Sequence, residues 1–446
     1  MTLCVCLTLR EHPINALLLL LIAALFGRNW SNLSRIAVAT VVGTSLASDI
    51  PDQGIDRTTF LQGSATVTSI PRVMPGYVSF ELEIDGKRLT AILNGRPQVS
   101  LGDMLFVKGL AKPFREGTEA TYLTKGLLGK FTPIEVRRVS SGPSWVWMAL
   151  TVRSTFLGFT AAHLRSEQAA LVDALCFNVD GGLDDETRQV LRNTGTIHII
   201  SASGLHVFVL AWVLDAVLGL LPIPRPVRLL MLGGLLVLYA AAAGLQPAIL
   251  RSVFMSMTAL SAYLLQRESD LLSALAVAGG LYLIANPIGI YDMGFQLSYL
   301  TVAAFGLFGS NTEPVARTAK ETLLNLFSEA GRTSAIAFLA TAPIILYYFD
   351  LVALTSIPAN LIIAPAVMLE VVASFGVFGA HFAWPALGDF LTANLVGPLA
   401  DFIQWTLSGF AAFPQSTISG GAFSAYWLVL AYALIIWRVE DRIRPA

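Results

Sequence analysis

The apolar and polar positions of this chain fall into three regimes. Apolar residues run almost unbroken from Ala16 to Phe26 and from Ile36 to Ala47, with Arg28 and Arg35 in between and no acidic residue there. The first run has the length of a signal-peptide core. The second follows so closely that the pair predicts a membrane hairpin over residues 14–48. Between residues 55 and 140 the pattern changes to period two, as in "YVSFELEIDGKRLTAIL". Such alternation predicts strands with one buried face. The Asp85-Gly86 pair between two of these runs predicts a type I′ hairpin, whose two central residues both need positive φ. "GDMLFVKGL" predicts a further strand between glycines. About five short strands in this stretch fit a small β-barrel, and the pattern alone fits an irregular β-rich extramembrane insert as well.

The third regime begins at Ile197, where apolar runs alternate with short polar turns. It predicts spans at 197–222, 227–244, 248–266, 271–286, 293–310, 334–349, 357–380, 386–411 and 423–437. Several fall short of the roughly 20 residues that a perpendicular helix needs, so some are expected to be broken or re-entrant. Residues 143–195 are intermediate. "SWVWMALTVRSTFLGFTAAHLRSEQAALVDALCF" is interrupted by Arg153, Arg165, Glu167 and Asp173 and opens with Trp145 and Trp147. Tryptophans belong at headgroup level, so this part predicts interfacial amphipathic helices.

Composition agrees with this division. Of 446 residues, 55% are apolar and only 13% charged, and the mean hydropathy is +0.66. A soluble protein carries about a quarter charged residues. The net charge of −1 provides no global attraction for nucleic acid. Cys4, Cys6 and Cys176 form neither a disulfide framework nor a metal motif. The five histidines (His12, His163, His198, His206 and His381) show no zinc-site spacing, so no metal and no cofactor is expected. "GLLGKFT" has Phe131 where a P-loop needs Ser or Thr, so no ATP-driven step is expected of this chain.

Basic residues mark cytoplasmic turns. Arg28 with Arg35, Arg225 with Arg228 in "PIPRPVR", and Arg438, Arg442 and Arg444 in "WRVEDRIRP" are therefore placed inside. Following the chain from there puts the N-terminus and the β-domain outside and the C-terminus in the cytoplasm. Two plus nine spans, about eleven, satisfy that odd-number requirement. The same topology gathers His198, Ser203, His206, Arg251, Asp292 and Gln296 at the outer level, with Gly204 permitting close helix approach. These groups are read as one wall of an outward-facing polar path. The bland alternative makes Arg251 and Asp292 a mere ion pair. Ser203 and His206 also raise the thought of an intramembrane serine protease, but side chains three apart on one helix both lean toward its N-terminus. A dyad needs its base aimed at the hydroxyl and an oxyanion site.

At these residues the chain resembles the ComEC family, the inner-membrane DNA channel proteins of natural competence. "GTIHIISASGLHV" resembles the family's G-x-x-H-L-L-x-x-S-G-L-H signature. "GLQPAILRSVFM", "NPIGIYDMGFQLSYLTVAAFGL" and "ATAPIILYYFDLVALTSIPANLIIAPAV" are similar, in order, to later family segments, the last carrying Pro343, Asn360 and Pro365. Two departures are small: Ala248 stands where the family has Ser, and Ser252 where it usually has Ala. Many members continue into a metallo-β-lactamase-like domain, which this sequence is expected to lack.

The resemblance implies a polytopic α-helical membrane protein of about eleven transmembrane helices carrying an extracytoplasmic OB-like β-barrel. In that plan residues 14–48 form the hairpin, 55–140 the barrel, 143–195 the interfacial helices and 196–437 the channel domain. It also implies single-stranded DNA as cargo. The expected partners are membrane lipid, a periplasmic DNA receptor, a separate nuclease, and a cytoplasmic ATP-driven motor or single-strand-binding proteins. Asn360 joins the expected path on this ground. Residues 55–140 hold twelve Lys and Arg against eight Asp and Glu. Lys87, Arg88, Lys108, Lys112 and Arg115 are the expected phosphate contacts, with Tyr77, Phe80, Phe106 and Phe114 offered for base stacking. The aromatics would equally serve as barrel core. The rival function is a secondary transporter of a small anion, for which Asp215 and Glu370 are the acidic residues at depth.

Overall fold

A computed structural model describes residues 55, 57–74, 76–95, 99–114, 127–179, 181–200, 204–245, 247–264, 275, 278–280, 282, 293–308, 319–349, 351–413 and 417–419. The expected hairpin over 14–48 and the span at 423–437 lie outside these residues.

Strands β1 (Thr59–Val67), β2 (Arg72–Met74), β3 (Tyr77–Ile84), β4 (Lys87–Asn94), β5 (Met104–Lys112) and β6 (Gly129–Ser140) form one sheet. β1 pairs antiparallel with both β3 and β5, β3 with β4, and β5 with β6, while β4 runs parallel to β6. The circuit β1–β3–β4–β6–β5–β1 closes a five-stranded barrel, with β2 added outside β3. The hairpin turn has φ of 50° at Asp85 and 71° at Gly86, the mirror-image geometry that strand twist favours. Alternate residues Val78, Phe80, Leu82 and Ile84 of β3 and Leu105, Val107 and Ala111 of β5 fill the interior with Phe131. Gly109 sits at a register shift against β6, where any Cβ would meet the Thr132 carbonyl.

Buried Asp103 fastens the barrel to the start of the helical part of the chain. Its carboxylate accepts from Ser100 N (2.9 Å), Gly142 N (3.0 Å) and Arg138 Nη2 (3.1 Å). Directly after this anchor comes helix α1 (Ser144–His163), then α2 (Ser166–Phe177), α3 (Asp185–Asn193), α4 (Ile197–Ile200), α5 (Gly204–Leu218), α6 (Arg225–Ala242) and α7 (Pro247–Leu264). The described chain resumes in α8 (Met293–Phe308), α9 (Ala319–Phe349), α10 (Ser356–Ala383), α11 (Pro385–Leu391) and α12 (Gly397–Ala411). Strands β7 (Leu351–Ala353) and β8 (Thr417–Ser419) pair antiparallel and tie the start of α10 to the segment after α12.

The helical core centres on α2, where all but three residues are buried. Phe156 of α1 packs edge-on to Phe177 (5.1 Å) and Phe378 (5.1 Å), and Tyr239 Oη donates to the Cys176 carbonyl at 2.9 Å. So α2 departs from the expected surface-lying amphipathic helix. Its polar residues bond to neighbouring helices: Gln168 Nε2 donates to Gly397 O (3.1 Å), and Arg165 pairs with Asp401. That ion pair stays exposed, although its partners lie 236 positions apart in the sequence. By contrast α3 buries only Leu191. Trp145 and Trp147 stand exposed at the barrel end of α1.

Among the described residues three helical stretches are long and apolar enough to cross a membrane, Arg225–Ala242, Ser328–Phe349 and Ser356–Ala383. The run expected as a span at 386–411 is one helical stretch from Pro385 to Ala411 with a π-turn at Thr392–Val396. The expected 197–222 span is two pieces, α4 and α5, with 201–203 outside the described residues.

Candidate functional site

The histidine motif is seated by its glycine. Gly195 lies just after α3 with φ of 69°, and a Cβ there would lie 2.9 Å from the Cβ atoms of both Ala353 and Ser356. A side chain is therefore excluded twice, by conformation and by contact. Fully buried Thr194 and Thr196 flank it with their hydroxyls 2.7 Å apart. His198 is exposed, and its Nδ1 donates to the Gly195 carbonyl at 3.0 Å. His206 is 5% exposed on α5, within electrostatic range of His198. Ser203 lies outside the described residues, and Gly204 opens α5. The Gly195–Ser356 contact joins this turn to the helix that carries Asn360 one turn later. Asn360 is half-buried, and its Oδ1 has no hydrogen-bond partner among the described residues.

Arg251 occupies the next motif, on the first turns of α7, and is only 2% exposed. Its Nη2 donates to the Gly294 carbonyl at 2.8 Å, and its Cζ stands 5.7 Å from the centroid of the Phe295 ring. Phe295 in turn stacks on Tyr299 at 4.1 Å and on Tyr282 at 5.3 Å. A carbonyl and a π face both help offset the cost of burying a guanidinium. Arg251 thereby pins α7 to the start of α8. Gln296, 1% exposed, accepts from Tyr348 Oη of α9 at 3.3 Å. Both Arg251 and Gln296 are enclosed between helices. Asp292, expected on the same path or as an ion-pair partner of Arg251, lies outside the described residues. Tyr348 carries no signal in the sequence, although it sits in the same family-like segment as Pro343, because a tyrosine in an apolar run reads as packing.

On the barrel, the outward side chains of β5 and β6 form a basic and aromatic stripe. Half-buried Phe106 lies under Lys108, whose Nζ is 5.6 Å from the ring centroid. Lys108 and Arg137 share Glu135 at 3.1 and 2.7 Å. The hydrogen bond from Lys108 and the charge of Arg137 hold the Glu135 carboxyl below the usual carboxylate range. Lys112 registers with Lys130 across the same strand pair. Exposed Lys87 and Arg88 begin β4 at the same end, Arg88 pairing with Glu83 at 3.4 Å. Arg115 lies outside the described residues. Phe80 (2% exposed) and Phe114 (5%) are core residues and present no face for stacking, whereas Tyr77 is 38% exposed.

Residues 175–440, from the end of α2 through every motif above, match the family described as Competence protein. The chain belongs to that family. These are the ComEC proteins. Within it, the ComE operon protein 3 of Bacillus subtilis (strain 168) is 26% identical over 290 residues, covering 62% of this chain and 36% of that protein. The chain thus spans little more than a third of that curated relative. No solved structure matches. The barrel precedes the residues that carry the family match, so the family places the helical motifs, and the barrel's strand circuit alone speaks for its OB-like form.

Proposed function

We propose that this competence-family chain passes single-stranded DNA inward across the bacterial cytoplasmic membrane during natural transformation. The observation that carries the reading is the family match, which takes in all four ordered motifs. The joining of two of them by buried Arg251 at the α7–α8 contact supports it. A single strand brings one phosphate charge per nucleotide, and bare charge in hydrocarbon is prohibitive. Its passage needs a polar path of the kind that His198, Ser203, Gly204, His206, Arg251, Asp292, Gln296 and Asn360 would supply. Residues 196–437 would form that channel and 14–48 an N-terminal hairpin, with the N-terminus and barrel outside and the C-terminus in the cytoplasm. The barrel would hold the strand by phosphate contacts from its basic residues and by stacking on Phe106 and Tyr77. A periplasmic receptor, a separate nuclease and a cytoplasmic motor or single-strand-binding proteins would complete the system.

The rival anion transporter is weakened at Asp215, one of its two acidic candidates, which pairs with Arg228 at 3.0 Å. Deleting the gene is expected to abolish entry of labelled DNA into the cytoplasm. Arg251→Ala and His206→Ala are expected to reproduce that loss with normal amounts of protein in the membrane. Normal uptake in both variants overturns the assignment.

A further inference from the structure

Two of the five histidines, 218 positions apart in the sequence, meet at one carboxylate. His163 closes the last turn of α1 and His381 the last turn of α10. After α10 the chain breaks at Trp384, which is extended (φ −151°, ψ 91°), and α11 doubles back. The reversal requires Gly388, where a Cβ would lie 2.5 Å from the His381 Cβ. The next residue, Asp389, is thereby delivered between the two rings. Its Oδ1 lies 3.1 Å from His163 Nε2 and 3.0 Å from His381 Nδ1, and all three donor atoms fall within 4.8 Å of one another.

The local hydrogen bonding sets the imidazoles for coordination. His163 Nδ1 lies 2.8 Å from the Phe159 carbonyl, which can only accept, so the proton of the neutral ring is on Nδ1. In the neutral ring Nε2 then presents a lone pair to a carboxylate oxygen, and either a further proton or a metal ion must lie between the two acceptors. A histidine that gives its other N–H to a backbone carbonyl is the usual arrangement of a metal ligand. Phe159 fixes both rings, its centroid 4.6 Å from His163 and 4.9 Å from His381. The side chains remain 27%, 27% and 50% exposed, so an ion has an entry route.

We propose that His163, His381 and Asp389 bind a zinc ion through three protein ligands, with the fourth position left to water, and so clasp α1 to the α10–α11 corner. Metal–ligand bonds of about 2.0–2.2 Å in tetrahedral geometry put ligand atoms about 3.3 Å apart. The observed 3.0 and 3.1 Å reach that by a shift of a few tenths of an ångström. Two nitrogens and one oxygen suit a borderline ion, whereas calcium and magnesium ask for a shell of oxygens. The site lies at the end of α1 away from the barrel, about 30 Å along a 20-residue helix. It is independent of the transport reading.

The test uses the full chain, purified in detergent without a polyhistidine tag and stripped with EDTA. Titration with ZnCl2 is expected to restore one tightly held zinc per chain and to raise the thermal midpoint. CoCl2 in its place is expected to give the visible absorption of four-coordinate cobalt. Asp389→Asn and His381→Gln should each weaken zinc binding by more than about 100-fold, beyond the loss expected for an outer-shell partner. Absence of stoichiometric zinc and of the cobalt spectrum in the wild-type chain overturns the proposal, whether or not the variants fold. So does a thermal midpoint that answers to pH and not to ZnCl2, which would mark a proton-bridged His–Asp–His set. Zinc affinity unchanged in both variants overturns it equally.

Discussion

At Gly195 a single hydrogen atom decides whether the histidine motif can sit where it does. The residue has φ of 69° and faces Ala353 and Ser356 at a distance no methyl group tolerates. Replacing it by Ala should cost about 1–2 kcal/mol for the left-handed backbone. The forced contact should add roughly 1–3 kcal/mol. Gly195→Ala is therefore expected to lower the thermal midpoint of the detergent-solubilised chain and to reduce transformation. A variant as stable as wild type would show that the motif does not rest on the start of α10. Arg251 differs in kind, because its anchor is electrostatic: it binds a carbonyl and a ring face. The sequence marked Arg251 as special but not how it is held. Nothing in a one-dimensional pattern says that a buried arginine chooses the Gly294 carbonyl. The histidine pair at Asp389 was invisible for a related reason, since motif spacing sees only neighbours in sequence.

At the scale of elements, the barrel was the most legible part. Period-two alternation and the Asp85-Gly86 turn announced the β3–β4 hairpin, whose register the structure reproduces from Tyr77–Asn94 to Ile84–Lys87. Alternation could not tell which aromatics point outward, and half of the four offered for stacking are core. For the β5–β6 stripe the decisive residue is Glu135, which pairs with both Lys108 and Arg137 and offsets one of their two charges. Glu135→Gln should free both cations, tighten binding of a fluorescent oligo-dT to the full-length protein, and steepen the salt dependence by about 0.7 for each phosphate newly engaged. Phe106→Ala should weaken the same binding by about 1–3 kcal/mol. Unchanged anisotropy titrations in both variants would remove the stripe from any DNA-binding role. The pH response has a fixed sign. The Glu135 carboxyl is held below its usual range, so its contribution to barrel stability is present above that range. It is lost as pH falls through the lowered folded value, where protonation also releases the two cations. The helices were legible as apolar runs, but α2 was not recognised as core, because the apolar pattern shows the charge of Asp173 and not the Thr160 hydroxyl of α1 that donates to it.

At the scale of the molecule, α6 is a natural ruler. Its far end meets the barrel, where Gly244 approaches Ile70. Its near end carries exposed Arg225. Eighteen helical residues separate the two by about 27 Å, close to the roughly 30 Å of a hydrocarbon core. The barrel and Arg225 are thus expected on opposite sides of the membrane. With Cys4 and Cys6 replaced by Ser and Cys176 buried, Lys87→Cys should react with an impermeant maleimide in intact spheroplasts. Arg225→Cys should react only after permeabilisation. Labelling of both from outside would refute the orientation.

The pairing of β7 with β8 bears on how the chain is made. Leu351–Ala353 is extruded from the ribosome long before its partner Thr417–Ser419 exists. At about 5–20 residues per second, the intervening chain takes roughly 3–13 seconds to synthesise. During that interval the seat of Gly195 at Ala353 has an unpaired strand edge on its other side. The support beneath the histidine motif is therefore completed only when the segment beyond α12 has emerged.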